Sequence, residues 1–232
     1  MIEENRLKRV DVLVMAAGTG SRMGMAERKQ WLSLCGLPLF VYTLRRLREY
    51  DADSLIAVIH PDDELRVVEA LAMANLADVR VVVGGDTRQE SVRRGLTETS
   101  REYVAVHDGA RPFLTRTDFL RVLEAAIACG AATIGWRVRD TLKRVDEGGK
   151  IVTNVDRDRL WAVATPQVFL REWLLYAHEV AAADGFTGTD DTVLLERVGR
   201  AVAVVEGAPW NVKVTERADL QWIRLWEMAM CE

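Results

Sequence analysis

Apolar positions in the first two thirds of the chain fall into short β-branched runs separated by stretches of helical spacing. Val10–Met15, Leu55–Ile59, Val79–Val83, Tyr103–His107 and Ala132–Trp136 have the length and make-up of buried strands. Between them, Leu39–Tyr50, Gln89–Thr99 and Phe119–Cys129 read as helices, the last closed by Gly130, and Pro61-Asp62-Asp63 opens another. This alternation predicts an α/β fold, a doubly wound and mainly parallel sheet with helices on both faces. The pattern then changes. Thr141–Val145 and Lys150–Val155 flank the turn signal Asp146-Glu147-Gly148-Gly149 and predict a projecting β-hairpin arm over residues 139–158. An isolated hairpin is marginal in water, so this arm needs a surface to pack on. Helices Leu170–Ala183 and Asp190–Val198, strands Ala201–Val205 and Val212–Val214, and a helix Thr215–Met230 with Thr215 as N-cap follow. With no internal repeat or linker, the 232 residues read as a single domain carrying an arm.

Composition narrows the picture. A chain that is 49% hydrophobic and 28% charged can bury a full core. Its net charge of -4 argues against a bulk nucleic-acid surface and leaves anion binding to local clusters. The apolar runs are strand-length, so no segment is expected to span a membrane, and Met1–Arg9 carries no signal pattern. Cys35, Cys129 and Cys231 are few, odd in number and far apart. They fit neither a disulfide framework nor a metal knuckle and point to a reducing, cytoplasmic compartment.

The chemistry concentrates after the first strand, in Ala16-Ala17-Gly18-Thr19-Gly20-Ser21-Arg22-Met23-Gly24. Open α/β sheets bind ligands at such a place, and small residues let backbone N–H groups approach phosphate oxygens. A dinucleotide fingerprint would need glycine where Met23 stands, and the P-loop string does not occur. Instead, Arg22 and Lys29 bring two cations to the loop. That suits a triphosphate, whose charge must be offset before a nucleophile can approach. The plain alternative is a tight turn with two solvated cations.

Other constellations carry weaker signals. Gly84-Gly85-Asp86 with Ser91 could read the edge of a small base, or could be an ordinary strand-to-helix connection. Asp108 and Arg111 close the fourth strand, where a carboxylate and a guanidinium can hold a hydroxylated substrate and its phosphate. Asp108 can also approach a divalent ion. His107 is set aside as a general base: it continues a strand, and a phosphate nucleophile is already deprotonated near pH 7. His60 and His178 have no motif around them and read as structural. Lys213 alternates with Val212 and Val214, so its side chain is expected to face the cleft.

The ordered set of motifs resembles the sugar-phosphate nucleotidyltransferases and, more narrowly, the 2-C-methyl-D-erythritol 4-phosphate cytidylyltransferases of the non-mevalonate isoprenoid pathway. The residues that carry it are the loop from Ala16 to Met23, Lys29-Gln30-Trp31-Leu32, Gly36-Leu37-Pro38, Gly84-Gly85-x-x-Arg88-x-x-Ser91-Val92-x-x-Gly95-Leu96 and Val106–Pro112. Asp140–Lys143, Trp161 with Thr165-Pro166-Gln167, Thr189-Asp190-Asp191 and Asn211–Thr215 extend the likeness nearly end to end. The resemblance implies a Rossmann-like nucleotidyltransferase fold, with Arg22 and Lys29 as catalytic cations and Mg²⁺ as the divalent cofactor. It places CTP on Ala16, Ala17, Gly18, Gly20, Gly84, Gly85, Asp86, Ser91 and Gly109. It places the polyol phosphate on Asp108, Arg111, Thr165, Thr189 and Lys213, with Thr141 and Arg157 reaching a neighbouring subunit's site in an arm-exchanged homodimer. Protein ligands to the metal are not implied.

Four positions depart from that pattern. Arg28 stands where proline often precedes Lys-Gln, which predicts a looser loop around Lys29. Gly109 replaces a more usual alanine, Met15 is a variable position, and Trp210 stands where an acidic residue is common. The competing readings are the same chemistry on another polyol phosphate, such as ribitol 5-phosphate, and a nicotinamide-dependent oxidoreductase. Met23, and a second strand ending Ile59-His60 with no acidic residue, weigh against the oxidoreductase.

Overall fold

The computed structural model describes residues 6–18 and 28–230. Its centre is a seven-stranded sheet built from β1 (Val10–Ala16), β4 (Leu55–Ile59), β5 (Arg80–Val83), β6 (Tyr103–Asp108), β7 (Ala131–Arg137), β10 (Trp161–Leu170) and β11 (Ala203–Glu206). Two short strands, β2 (Ser33–Leu34) and β3 (Leu37–Pro38), pair with each other. So do β8 (Leu142–Val145) and β9 (Ile151–Val155), which form the hairpin of the arm.

The spatial order is β11-β7-β10-β6-β1-β4-β5. The chain leaves β1 towards β4 and β5, then crosses back to place β6 on the other side of β1. That reversal opens a crevice at the carboxyl ends of β1 and β6, where doubly wound sheets take their ligands. β10 runs antiparallel to both β6 and β7, while the other pairings within this seven-stranded sheet are parallel.

Alternation along the strands builds two cores. Val12 and Val14 of β1, with Leu55, Ala57 and Ile59 of β4, face α1 (Leu39–Glu49) and its Phe40, Leu44 and Leu47. Leu13, Ile56 and Val58 face the opposite side, against Val92 and Leu96 of α3 (Arg88–Thr97). Residues one apart on a strand point to opposite faces, so a strand buried on both sides must be apolar throughout. The remaining helices are α2 (Glu64–Met73), α4 (Arg116–Cys129), α5 (Arg171–Ala183), α6 (Asp191–Arg197) and α7 (Leu220–Met230). Leu174, Ala177 and Ala181 recur at helical spacing and dock α5 on the second core. Thr87, Thr115 and Asp190 cap α3, α4 and α6 through their side-chain oxygens. Gly130 ends α4 at φ 91°, a conformation that favours glycine.

Four expectations need correction. β10 escaped the sequence reading because Pro166 sits in its middle. Proline is excluded from regular central strands, and here the ladder tolerates it through a register shift between Val163 and Gln167. Val212–Val214 forms no strand; the Val214 N–H donates to Ala110 O (2.8 Å) as a single tie. Thr215 does not cap a helix. Its N–H and hydroxyl both donate to Asp219 Oδ2, a 3-10 turn covers Arg217–Asp219, and α7 starts at Leu220. Cys35 is disulfide-bonded, against the expectation of unpaired thiols, while Cys129 is free and exposed. No helix among the described residues is long and apolar enough to cross a membrane.

Candidate active site

A cleft of about 530 Å³ opens at the carboxyl ends of β1, β4, β5 and β6. Ala16, Ala17 and Gly18 form one wall, Gly84, Gly85, Asp86 and Ser91 another, and Lys29, Asp108, Gly109 and Lys213 the floor and far side. Gly20 and Arg22 lie outside the described residues.

The Gly84–Asp86 turn is held from below. Ser91, almost fully buried, accepts from Gly85 N–H (3.0 Å), and its Oγ lies 2.8 Å from Thr87 O. Gly84 N–H donates to Ile59 O (2.8 Å), and Arg94 donates to Gly84 O (2.9 Å). A Cβ on Gly84 would stand 2.6 Å from Ala17 Cβ and 2.7 Å from Ser91 Oγ, so the two walls meet only because this residue is glycine. At Gly109 the fit is less severe: a Cβ would lie 3.0 Å from Phe40 Cβ and 3.1 Å from Met15 O.

Charge gathers on the other side. Lys213 Nζ donates to Asp108 Oδ2 (2.9 Å), and Arg111 Nε donates to the same oxygen (3.2 Å). Burial by itself would raise the Asp108 carboxyl, but Lys213, Arg88 and Arg111 outweigh it and hold the group well below the usual carboxylate range. Lys213 thus faces the cleft as expected, without the strand that was to aim it. Its segment is tied twice more, by Val214 N–H to Ala110 O and by Lys29 Nζ donating to Val214 O (3.3 Å).

Behind Asp108 the polar atoms are committed to one another. Asp108 N–H donates to Thr165 Oγ1 (2.9 Å), Asn211 Nδ2 to Thr165 O (2.9 Å), and Arg111 Nη1 to Asn211 O (2.8 Å). Thr165 is buried, so this structure shows it bracing Asp108 from behind. His107 is fully buried, with Nε2 3.1 Å from Arg111 O and Nδ1 3.1 Å from Thr165 Oγ1. Burial pushes its imidazole down to about 4. Both nitrogens are occupied and the ring is neutral near pH 7, which accords with setting His107 aside as a base.

Three of the predicted residues stand elsewhere. Thr141 and Arg157 are exposed at the arm, where Arg157 lines a separate depression with Arg137, Arg139 and Asp140. Thr189 is exposed; its neighbours carry the local bonds, Asp190 capping α6 and Asp191 meeting Arg88.

Arg88 is the residue that sequence reasoning passed over. It lines the cleft, and its Nη1 donates to Asp191 Oδ2 (2.7 Å) while His178 Nε2 lies 3.3 Å from Asp191 Oδ1. Asp191 is buried, yet Arg88 and His178 keep its carboxyl below the ordinary range against the opposing pull of burial. The signal was present, since both residues sit in quoted motifs. Their pairing across the sequence was not visible in either motif alone.

The arrangement offers a glycine-lined end of the cleft beside a second region rich in cations. Comparison with known proteins shows which proteins this chain is similar to. Residues 10–226 match the family model described as 2-C-methyl-D-erythritol 4-phosphate cytidylyltransferase. Among curated proteins so named, the one from Pelotomaculum thermopropionicum is 41% identical over 221 residues, covering 92% of each chain. That from Aquifex aeolicus is 41% identical over 212 residues, covering 91% of this chain and 94% of its own. Among solved structures, 2-C-methyl-D-erythritol 4-phosphate cytidylyltransferase from Thermus thermophilus superposes with a TM-score of 0.80 at 33% identity, covering 95% of this chain and 99% of its own. The 4-diphosphocytidyl-2C-methyl-D-erythritol synthase of Anaerococcus prevotii gives 0.81 at 28%, covering 94% and 98%.

Proposed function

We infer the reaction from a premise now secured: this chain belongs to the 2-C-methyl-D-erythritol 4-phosphate cytidylyltransferase family. It is a nucleotidyltransferase. It joins CTP and 2-C-methyl-D-erythritol 4-phosphate into 4-diphosphocytidyl-2-C-methyl-D-erythritol, with release of pyrophosphate, in isoprenoid precursor biosynthesis. The roles of individual residues below are our proposal, and the convergence of Lys29, Lys213 and Asp108 on one cleft is the observation that carries it.

The cytosine lies in the cleft against the joined walls of Ala17–Gly18 and the Gly84–Asp86 turn, whose backbone groups read its edge. Ser91 keeps that turn in shape through its bonds to Gly85 and Thr87. The triphosphate runs along the Gly-rich loop towards Lys29 and Arg22. An oxygen of the polyol phosphate attacks the α-phosphorus in line, the bond to the pyrophosphate oxygen breaks, and no general base is required. Lys29 and Arg22 stabilise charge that grows on the α-phosphoryl oxygens in the transition state. Lys213, aimed by Asp108, takes the acceptor phosphate, and Asp108 with Arg111 holds the polyol hydroxyl side.

Mg²⁺ belongs to the same proposal. Among the described residues no group of three His, Cys, Asp or Glu side chains could hold a metal ion. Mg²⁺ usually binds through one or two carboxylates together with substrate phosphates and water. Two carboxylates line the cleft, Asp86 on the glycine turn and Asp108, the latter already paired with Lys213 and Arg111. The residues therefore fit an ion carried mainly by the CTP phosphates, with Asp108 beside it. When bound, the ion offsets triphosphate charge.

We also propose that the hairpin arm exchanges across a cytoplasmic homodimer, bringing Thr141 and Arg157 to the partner's cleft. The support is exposure: Val145, Ile151 and Val152 are each more than half exposed in one chain. Symmetric arm exchange is a low-cost way to cover them.

Pyrophosphate release measured with CTP across a panel of polyol phosphates tests the substrate. The 4-phosphate of methylerythritol should be turned over best. Equal or better turnover with ribitol 5-phosphate would reject this assignment.

A further inference from the structure

Arg28 stands where the resemblance leads one to expect proline before Lys-Gln, and its backbone and side chain are both fixed. Arg28 adopts φ -64° and ψ 139°, a backbone setting that proline itself would take. Its guanidinium holds it there from outside: Nη1 donates to Asp63 Oδ1 (2.8 Å) and Nη2 to Asp62 Oδ2 (2.6 Å). Gln30, on the other side of Lys29, donates from Nε2 to Asp63 Oδ2 (3.2 Å). One buried carboxylate thus binds the residues immediately before and after Lys29, using a different oxygen for each.

The next residue is fixed as well. Trp31 stands edge-on to Phe40 at 5.5 Å, and the Arg66 guanidinium covers its other side at 3.8 Å from the ring centroid. The segment 28–31 is therefore pinned to Asp62 and Asp63, in the connection after β4, and to Arg66 in the first turn of α2. Pro61 and His60 of that connection also line the cleft. Lys29 and Gln30 of this segment both line the cleft, and the Lys29 ammonium reaches Val214 O.

We propose that Arg28 and Asp63 are positioning residues for Lys29, a carboxylate bracket that sets where its ammonium meets the reacting phosphate. The inference rests on the reading of Lys29 as a transition-state cation. Misplacing a catalytic group by about 1 Å can cost on the order of 10²-fold in rate, so a tether on the residue next to Lys29 has leverage on kcat. Arg28 does not line the cleft, so its effect passes through the segment it fixes, in which Lys29 carries the charge.

A double-mutant cycle read by pyrophosphate release tests this. Lys29→Ala, Arg28→Ala and Asp63→Asn are measured singly, and Arg28→Ala and Asp63→Asn again in the Lys29→Ala background. Each single bracket variant should lower kcat about 10-fold and shift KM for either substrate by no more than about two-fold. In the Lys29→Ala background the same changes should cost nothing further, because the group they position is gone. Full, additive loss in that background would mean that the bracket supports the fold generally, and would overturn the proposal. Wild-type kcat in Arg28→Ala would overturn it too. If Asp63→Asn does not fold, Arg28→Ala decides, since its side chain is partly exposed. If Lys29→Ala itself keeps full kcat, the role of Lys29 fails, and that outcome is distinct from failure of the bracket.

Discussion

Lys213 Nζ sits 2.9 Å from Asp108 Oδ2, and the carboxylate that receives it is itself buried and shared with Arg111. Lys213, which we propose takes the acceptor phosphate, is therefore not a free lysine on a loop. It is one member of a group whose aim depends on an anion at the end of β6. On that proposal, a dianionic phosphate entering here would exchange one partner of Lys213 for another.

Removing that cation should separate the two substrates. Lys213→Ala is expected to lower kcat/KM for the polyol phosphate by about 10- to 100-fold, the loss of one charge-assisted hydrogen bond. CTP affinity, measured by calorimetry without the acceptor, should change little. An equal loss of CTP affinity would reassign Lys213 to the nucleotide.

The glycine-lined end of the cleft makes a prediction about the donor. Gly84→Ala forces Ala17 or Ser91 to move, an overpacking that typically costs about 1–3 kcal/mol. KM for CTP should rise about 10-fold while KM for the polyol phosphate holds. Purine triphosphates should be poor donors for the wild-type enzyme, because a site shaped for one small base leaves polar groups unpaired with another. Comparable turnover of ATP or GTP would contradict the assignment of this end to the cytosine.

The buried imidazole sets a pH dependence of stability. His107 has a folded-state value of about 4, below its ordinary value of 6.5. Between those values the unfolded chain binds a proton that the folded one refuses, so stability falls as pH drops through this window and levels off beneath it. The loss from pH 7 to pH 5 is on the order of 2 kcal/mol for this residue. Urea denaturation of wild type and His107→Gln should show a shallower pH slope in the variant. Identical slopes would show that His107 is not the source.

Arm exchange has a mixing test. Lys29→Ala and Arg157→Ala variants are each expected to be nearly inactive. Random co-refolding makes half the dimers mixed, and if Arg157 acts in trans one site of each mixed dimer is intact. Activity should return to about a quarter of wild type. No recovery, with mixed dimers verified by mass spectrometry, would place Arg157 in its own subunit's site.

What the sequence made legible was local. β-branched runs such as Leu55–Ile59 and capped helices such as Arg116–Cys129 appear where periodicity and end signals agree. β10 was hidden because Pro166 makes its stretch read as a loop, and only the ladder on either side shows it to be a central strand. In the site, Lys29, Asp108 and Lys213 were readable from motif context. The Arg88–Asp191 pair and the grip of Asp63 on Arg28 and Gln30 were not, because each joins residues far apart in the chain, a spacing that no local pattern encodes.

The lone antiparallel strand has a geometric consequence for the arm. β7 runs with the parallel strands, so it ends at Arg137 on the same rim as Ala16 and Asp108. β10 runs against them, so it begins at Trp161 on that rim as well. Whatever is spliced between those two points must leave and re-enter the molecule at the catalytic edge, with no long connection to carry it there. The hairpin at 142–155 is thus an insertion whose length and sequence can vary without disturbing the sheet, and every such change alters the surroundings of the chemistry.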